Sequence, residues 1–189
     1  MTLLILGLVL FLGVHSLSIA NESLRDRLHA SMGEAAFKVL YSLASLAGLL
    51  LIIWGYGAAR LDPTVLYIPP TWLRHVSLLL LIPVFPLLFA TYFPGRIKAK
   101  IGHPMLAAVK LWALAHLLAN GMLHDVLLFG SFLAWAIADR ISMKRRTQRP
   151  IPALPASRAN DLIAIAGGLA VYVVMVMWAH RWLFGVAPM

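Results

Sequence analysis

The feature that most constrains this chain is a series of long apolar runs that contain no charged residue. Four such runs occupy residues 1–21, 39–59, 75–95 and 162–180, and none of them contains Asp, Glu, Lys or Arg. A helix needs about 20 residues, at ~1.5 Å of rise per residue, to cross the ~30 Å hydrocarbon core of a bilayer. Each run is therefore predicted to be a membrane-spanning helix.

The composition points to the same environment. Hydrophobic residues make up 61% of the 189 residues and charged residues only 12%, whereas a soluble domain is about 45–50% apolar and about 25% charged. So much apolar surface in a chain of this length must be covered by lipid. We therefore expect a single-domain, all-α integral membrane protein, over residues 1–189, whose partner is the lipid bilayer.

A fifth apolar region is divided by one acidic residue and can be interpreted in two ways. Asp125 separates residues 111–124 from residues 126–138. Taken together, the two segments would form one overlong helix and give five spans. Separated by a turn near Asn120-Gly121, they would form two helices and give six.

The distribution of basic residues selects six spans, because Lys and Arg concentrate in cytoplasmic loops. With the N-terminus outside, six spans place 13 of the 16 Lys and Arg residues inside. These residues form three clusters, namely Arg25, Arg27 and Lys38; Arg96, Lys98, Lys100 and Lys110; and Arg140, Lys144, Arg145, Arg146, Arg149 and Arg158. Five spans would put the last cluster outside. We therefore predict a bundle of about six transmembrane helices near residues 3–20, 37–58, 73–93, 104–120, 125–140 and 161–184, with both termini outside.

The same bias explains the net charge of +9. The basic residues lie between apolar runs, without interleaved aromatic residues, so we expect no nucleic-acid partner.

Ser18-Ile19-Ala20 resembles a signal-peptide cleavage site, but no Lys or Arg precedes the apolar run, so we expect the first helix to be retained.

Two features within the predicted helices bear on their packing. Pro83 and Pro86 predict a kink in the third helix, since proline removes a helical hydrogen bond. The pair Gly167-Gly168 permits close approach of a second helix. A flexible point that faces lipid is the alternative for this pair.

Two histidines inside the predicted spans are the candidate ligands of a metal cofactor. The chain has no cysteine, which excludes iron–sulfur clusters and thiolate-ligated haem. His15 lies six residues before Asn21, and His116 lies six residues after Lys110, so both are expected roughly 9 Å inside the cytoplasmic boundary. Two neutral imidazoles at one level can ligate both faces of a haem iron. We predict haem b between helices 1 and 4, the alternative being two hydrogen-bonded core histidines.

The fourth predicted helix places three polar or aromatic side chains on one face. Trp112, His116 and Asn120 follow one another at intervals of four residues. They are the candidate lining of a cofactor pocket, and a helix–helix interface joined by Asn120 is the alternative. Met122 is a less favoured axial ligand. His124 and Asp125, at the turn, are expected to form a solvated cap rather than a proton relay.

Several segments together resemble the NnrU family over most of the chain. They are His15; Gly33-Glu34, Phe37 and Tyr41-Ser42; Tyr92-Phe93-Pro94-Gly95-Arg96-Ile97; His103-Pro104-Met105-Leu106; Lys110-Leu111-Trp112-Ala113-Leu114-Ala115-His116-Leu117-Leu118-Ala119-Asn120-Gly121; and Leu127-Leu128-Phe129-Gly130-Ser131-Phe132. The chain departs from the family pattern at Met122-Leu123-His124-Asp125, because an acidic residue is expected directly after Asn-Gly.

The resemblance implies a location and a cofactor. The family is named after a bacterial membrane protein linked to denitrification and nitric oxide reduction, which implies the bacterial inner membrane and periplasmic termini. It includes the plant 15-cis-zeta-carotene isomerase, a haem b enzyme with two histidine ligands, whose positions match His15 and His116. A haem-dependent cis-trans isomerase with a small hydrophobic ligand is therefore one expected activity, although no catalytic residue is assigned by the match.

Two functions without haem remain open from the sequence. A membrane assembly or regulatory factor would need no cofactor. A membrane methyltransferase is suggested by His103-Pro104, which resembles the Arg-His-Pro element of isoprenylcysteine-type enzymes. That reading is weakened because Gly102 replaces the Arg and no Glu follows Glu34 to form the expected Glu pair.

Overall fold

The computed structural model describes residues 1–149 and 151–188, and over these residues the chain is built from helices. They are α1 (Thr2–His15), α2 (Leu17–Ala20), α3 (Glu22–Met32), α4 (Glu34–Ala59), α5 (Trp72–Leu81), α6 (Val84–Tyr92), α7 (Arg96–Ile101), α8 (Pro104–Ala119), α9 (Leu123–Ser142), α10 (Ala159–Val174) and α11 (His180–Phe184), with a π-helical segment, Met175–Ala179, between the last two. One isolated β-bridge joins Val65 to Met122. The predicted all-α class is confirmed.

Three helical stretches are long and apolar enough to cross a membrane, and the predicted membrane character of the chain rests on them. They are Glu34–Ala59, Trp72–Tyr92 and Ala159–Phe184. Thr2–His15 and Pro104–Ala119 are apolar but shorter. Most of the side chains along these stretches are not buried within the protein, which suits contact with lipid. The bundle of six spans stays a prediction.

The ambiguous fifth region forms two helices. Helix α8 ends at Ala119, Asn120 is extended at φ −130° and ψ 133°, and α9 begins at Leu123. The predicted break near Asn120-Gly121 is therefore confirmed, with helix bounds within a few residues of those expected.

The first predicted span, residues 3–20, is interrupted. Helix α1 ends at His15, and Ser16 has φ −90° and ψ −3°, with its N–H bonded to the carbonyl of Gly13. That bond spans three residues instead of four, so the helix tightens and stops before α2 continues the chain. The apolar run alone contains no signal for this interruption.

The chain divides into two compact units. Unit 1 comprises Met1–Tyr67 and Gly121–Gln148, and unit 2 comprises Ile68–Asn120 and Arg149–Met189. His15 belongs to unit 1, and Trp112, His116 and Asn120 belong to unit 2.

Unit 1 is organised by close packing of α1 on α4. A Cβ added to Gly55 would collide with the backbone of Leu4, one on Gly7 with the backbone of Ile52, and one on Gly48 with the backbone of Phe11. These three pairs run in opposite directions along the two helices, so α1 and α4 are antiparallel. Small residues allow such backbone approach, and the resulting dispersion contacts stabilise apolar helices in lipid. Phe132 and Leu128 of α9 pack against the same core of Leu4, Leu8 and Ile52.

Unit 2 is organised by proline and glycine on facing helices. The helix is interrupted between Leu81 and Val84, at the position where Pro83 and Pro86 predicted a kink. A Cβ on Gly168 of α10 would collide with the backbone of Pro86, and one on Gly167 would meet the Phe89 ring. The close-packing interpretation of Gly167-Gly168 is therefore confirmed.

The chain before α10 is held against the end of α6. The N–H groups of Leu154 and Ser157 donate to the carbonyls of Tyr92 and Pro94, at 3.0 and 3.1 Å. The carboxylate of Asp161 accepts the N–H groups of Arg96 and Ile97 at 2.9 and 3.0 Å and so caps α7. These bonds fix the ends of three helices of unit 2.

Candidate functional site

His15 is the last residue of helix α1, and one hydrogen bond determines which of its ring nitrogens carries the proton. Its Nδ1 lies 2.7 Å from the carbonyl oxygen of Phe11, four residues earlier. A carbonyl only accepts, so Nδ1 carries the proton, and the lone pair of the neutral ring is on Nε2. Such a bond fixes both the tautomer and the orientation of a histidine, as it does where histidine ligates a metal.

Aromatic rings surround the His15 imidazole within unit 1. Phe11 stacks on it with ring centroids 4.2 Å apart. The centroid of Tyr41 in α4 lies at 5.4 Å, and that of Trp135 in α9 lies at 6.1 Å with the rings nearly perpendicular. Three helices thus contribute to one niche, which we call the His15 niche and define by Phe11, His15, Tyr41 and Trp135, together with Ser45, which the register of α4 on α1 brings to the same level.

Two buried donors in the His15 niche have no partner among the described residues. They are Oγ of Ser45 and Nε1 of Trp135. Ser45 lies one turn after Tyr41 on α4, and three residues before Gly48, which contacts Phe11. In antiparallel helices that register brings Ser45 to the level of His15. A buried donor without a partner costs about 1–3 kcal/mol, so a ligand with acceptor atoms would stabilise the niche.

His116 shows the same assignment as His15. Its Nδ1 lies 2.8 Å from the carbonyl oxygen of Trp112, four residues earlier, so the lone pair is again on Nε2. The Trp112 and His116 ring centroids are 5.3 Å apart. Asn120 donates from Nδ2 to the backbone carbonyl of His116 at 3.0 Å. Trp112 and His116 are thus adjacent on α8, whereas Asn120 lies just beyond the end of the helix and reaches the backbone of His116.

Sequence reasoning missed a second polar cluster of unit 1, formed by Tyr56, His124 and Asp125. The hydroxyl of Tyr56 donates to Oδ1 of Asp125 at 2.6 Å, and Nε2 of His124 lies 3.6 Å from the same oxygen. His124 is 4% exposed and Asp125 is 3% exposed. The expected cap is present, because Asp125 caps the first turn of α9. The expectation that it is solvated is wrong, because both residues are buried and Tyr56 of α4 contacts them.

The loop before α5 closes this cluster through the backbone. The N–H groups of Leu66 and Tyr67 donate to the carbonyl of Gly121, and that of Leu123 donates to the carbonyl of Thr64. The Asp125 carboxylate also accepts the N–H of Met122 at 3.3 Å. An acidic residue was expected directly after Asn120-Gly121, at position 122. The acid of this chain is instead Asp125, three positions later, and its carboxylate binds the backbone of residue 122. The different position of this acidic residue was the sequence signal for the cluster.

The described residues contain no group of three or more His, Cys, Asp or Glu side chains that could hold a metal ion. In the neutral form of each ring, the hydrogen bond at Nδ1 of His15 and of His116 leaves the lone pair on Nε2.

Comparison with known proteins supplies the family. A sequence model described as NnrU protein matches residues 3–188, which is nearly the whole chain. No curated protein and no solved structure gives a significant match. With the apolar helices of a membrane protein and a match of this length, the chain belongs to the NnrU family.

Proposed function

We propose that this NnrU-family protein of the membrane binds haem b, with His15 and His116 as the axial ligands. The observation that carries the proposal is the hydrogen bond from Nδ1 of each histidine to the carbonyl oxygen four residues earlier. Each bond fixes the ring in the tautomer that presents Nε2 as a metal ligand. The family resemblance matches the same two positions.

The surroundings of His15 fit such a group. The ring lies among aromatic side chains, which suit a flat apolar macrocycle, and the unpartnered donors of Ser45 and Trp135 require acceptor atoms. Trp112 and Asn120 are proposed to contribute to the lining at His116. Haem iron would supply one-electron chemistry or a coordination site for a small molecule.

The biological setting follows from the resemblance and from the basic residues. We place the protein in the inner membrane of a bacterium with both termini in the periplasm, in a role linked to denitrification and nitric oxide metabolism. A carotenoid isomerase-like activity on a small hydrophobic ligand is the second function that the same haem site would support, since the aromatic His15 niche suits an apolar molecule.

The test is the visible absorption spectrum of the detergent-purified protein. We expect a Soret band and sharp α and β bands on reduction, which are lost or converted to a five-coordinate form in His15→Ala and in His116→Ala. His75→Ala, whose side chain is exposed, is the matched control and should retain the wild-type spectrum. A purified protein without a Soret band after haem supplementation would favour the cofactor-free membrane factor instead.

A further inference from the structure

The cluster of Tyr56, Asp125 and His124 contains one buried acceptor that the fold does not use. Nδ1 of His124 has no hydrogen-bond partner among the described residues, although the residue is 4% exposed. Its other ring nitrogen faces Oδ1 of Asp125. A histidine with one nitrogen against a carboxylate and the other directed into the protein is the arrangement of an oriented base.

The local electrostatics assign the protons of this pair. His124 and Asp125 lie in the first turn of α9, where the positive end of the helix dipole favours a carboxylate and disfavours an imidazolium. The Tyr56 hydroxyl and the N–H of Met122 both donate to Asp125, so its carboxylate is the acceptor form. Nε2 of His124 lies 3.6 Å from the Asp125 carboxylate, and this proximity favours the tautomer with the proton on Nε2, which leaves the lone pair of the neutral ring on Nδ1.

We propose that His124 is the hydrogen-bond acceptor of a second site, in which Nδ1 accepts a hydrogen bond from the O–H group of a small ligand. Asp125 is the positioning residue that fixes the tautomer, and Tyr56 holds Asp125 in place. A lone pair in a buried site needs a hydrogen-bond donor, and we take that donor to be a hydroxyl group. The described part of the chain offers no third carboxylate, thiol or imidazole for a metal ion there. Water and a hydroxyl-bearing organic molecule share this chemistry.

The geometry of the imidazole limits how the ligand can approach. The Tyr56 and His124 rings are nearly perpendicular, with centroids 5.1 Å apart, and Nε2 lies near Asp125. The Nδ1 lone pair lies in the plane of the ring, so the hydroxyl must approach along that plane.

The site is independent of the haem proposal, since it involves neither His15 nor His116. Protein with 15N-labelled histidine, in detergent and under reducing conditions, reports the protonation of each ring nitrogen by NMR, and His124→Gln assigns the resonances. We expect the neutral ring of wild-type His124 to carry its proton on Nε2. A proton on Nδ1 in the wild-type protein would overturn the proposal.

Phenol and anisole then separate the two sources of the hydroxyl. They share an aromatic ring, but only phenol donates a hydrogen bond. An upfield shift of the Nδ1 resonance with phenol and none with anisole identifies an organic hydroxyl site. A resonance already shifted before phenol is added, and unchanged by it, identifies water as the donor. An Nδ1 resonance typical of a nitrogen without a hydrogen bond, which neither compound shifts, would overturn the proposal.

Asp125→Asn and Tyr56→Phe test the positioning role. We expect Asp125→Asn to produce a mixture of the two His124 tautomers and to reduce the shift caused by phenol at least severalfold. Tyr56→Phe should have the same two effects, each to a smaller extent. If Asp125→Asn fails to accumulate, Tyr56→Phe carries the comparison, because it retains the ring that packs on His124. Unchanged tautomer and phenol shift in the variants that fold would remove Asp125 from the site.

Discussion

The hydroxyl of Tyr56 donates a 2.6 Å hydrogen bond to Oδ1 of Asp125, and so joins residues 69 positions apart in the chain. The bond ties the end of α4 to the first turn of α9. Because Asp125 is 3% exposed, its carboxylate depends on this donor and on the N–H of Met122 for compensation of its burial. Oδ1 of Asp125 therefore links α4 to α9 and also faces His124 in the proposed second site.

Removal of that donor is expected to destabilise the protein. Tyr56→Phe leaves a buried carboxylate short of one charge-assisted bond, at a cost of about 1.5–3 kcal/mol. The double variant Tyr56→Phe/Asp125→Asn should cost less than the sum of the single variants, since each removes the same interaction. Thermal unfolding in detergent measures this coupling, and strictly additive changes would show that the two side chains do not stabilise each other.

The close approach of α1 and α4 gives a prediction with an internal control. Gly55→Ala would place a methyl group against the backbone of Leu4, whereas a Cβ on Gly57 of the same helix meets nothing within 4 Å. We expect Gly55→Ala to destabilise by about 1–3 kcal/mol, as overpacking does. Gly57→Ala should be neutral or stabilise by up to about 1 kcal/mol through helix propensity. Equal melting temperatures for both variants would contradict the described α1–α4 packing.

Sequence patterns predicted those features of the fold that depend on residues close together in the chain. The charge-free runs located the long helices, Asn120-Gly121 marked the break before α9, and Pro83 marked the interruption of the third helix. The burial of His124 and Asp125 was not predictable in this way. It depends on Tyr56 and on the loop at Thr64, which are distant in sequence. The niche partners of His15 were missed for the same reason, because Tyr41, Ser45 and Trp135 come from two other helices.

The unpartnered indole of Trp135 distinguishes a ligand-binding niche from a purely structural one. Trp135→Phe removes the N–H donor and keeps most of the ring. If the niche holds the proposed haem, this variant should lose haem more readily and shift the midpoint potential. Trp54→Phe, at an exposed position of α4, is the control. Without a ligand, the same change should raise the melting temperature, because a buried donor lacking a partner costs about 1–3 kcal/mol.

The topology predicts which reporter fusions are active. The predicted six-span topology places 13 of the 16 basic residues in the cytoplasm. In that topology a phosphatase fused at the C-terminus should be active, and one fused after Arg146 should be inactive. A fluorescent protein that folds only in the cytoplasm should give the reverse pattern. An inactive C-terminal phosphatase, with a fluorescent C-terminal fusion, would contradict six spans with periplasmic termini.

Asn120 lies at the end of α8 and contacts His116, the candidate haem ligand carried by that helix. Its Nδ2 donates to the carbonyl oxygen of His116, so the side chain stabilises the last turn of the helix on which the imidazole is carried. Asn120→Ala should therefore cost about 0.5–1.5 kcal/mol and lower the yield from membranes. Because that last turn also positions the His116 ring, the midpoint potential of bound haem should shift as well.

Asn120→Asp is the matched variant, since it retains the size of the side chain and removes the amide donor. A redox titration of wild type, Asn120→Ala and Asn120→Asp, combined with membrane yields and melting temperatures, separates the two effects. Lower stability with an unchanged potential would restrict Asn120 to the helix end. Normal yield, stability and potential in both variants would leave Asn120 without either role and would contradict the proposed lining of the cofactor site on α8.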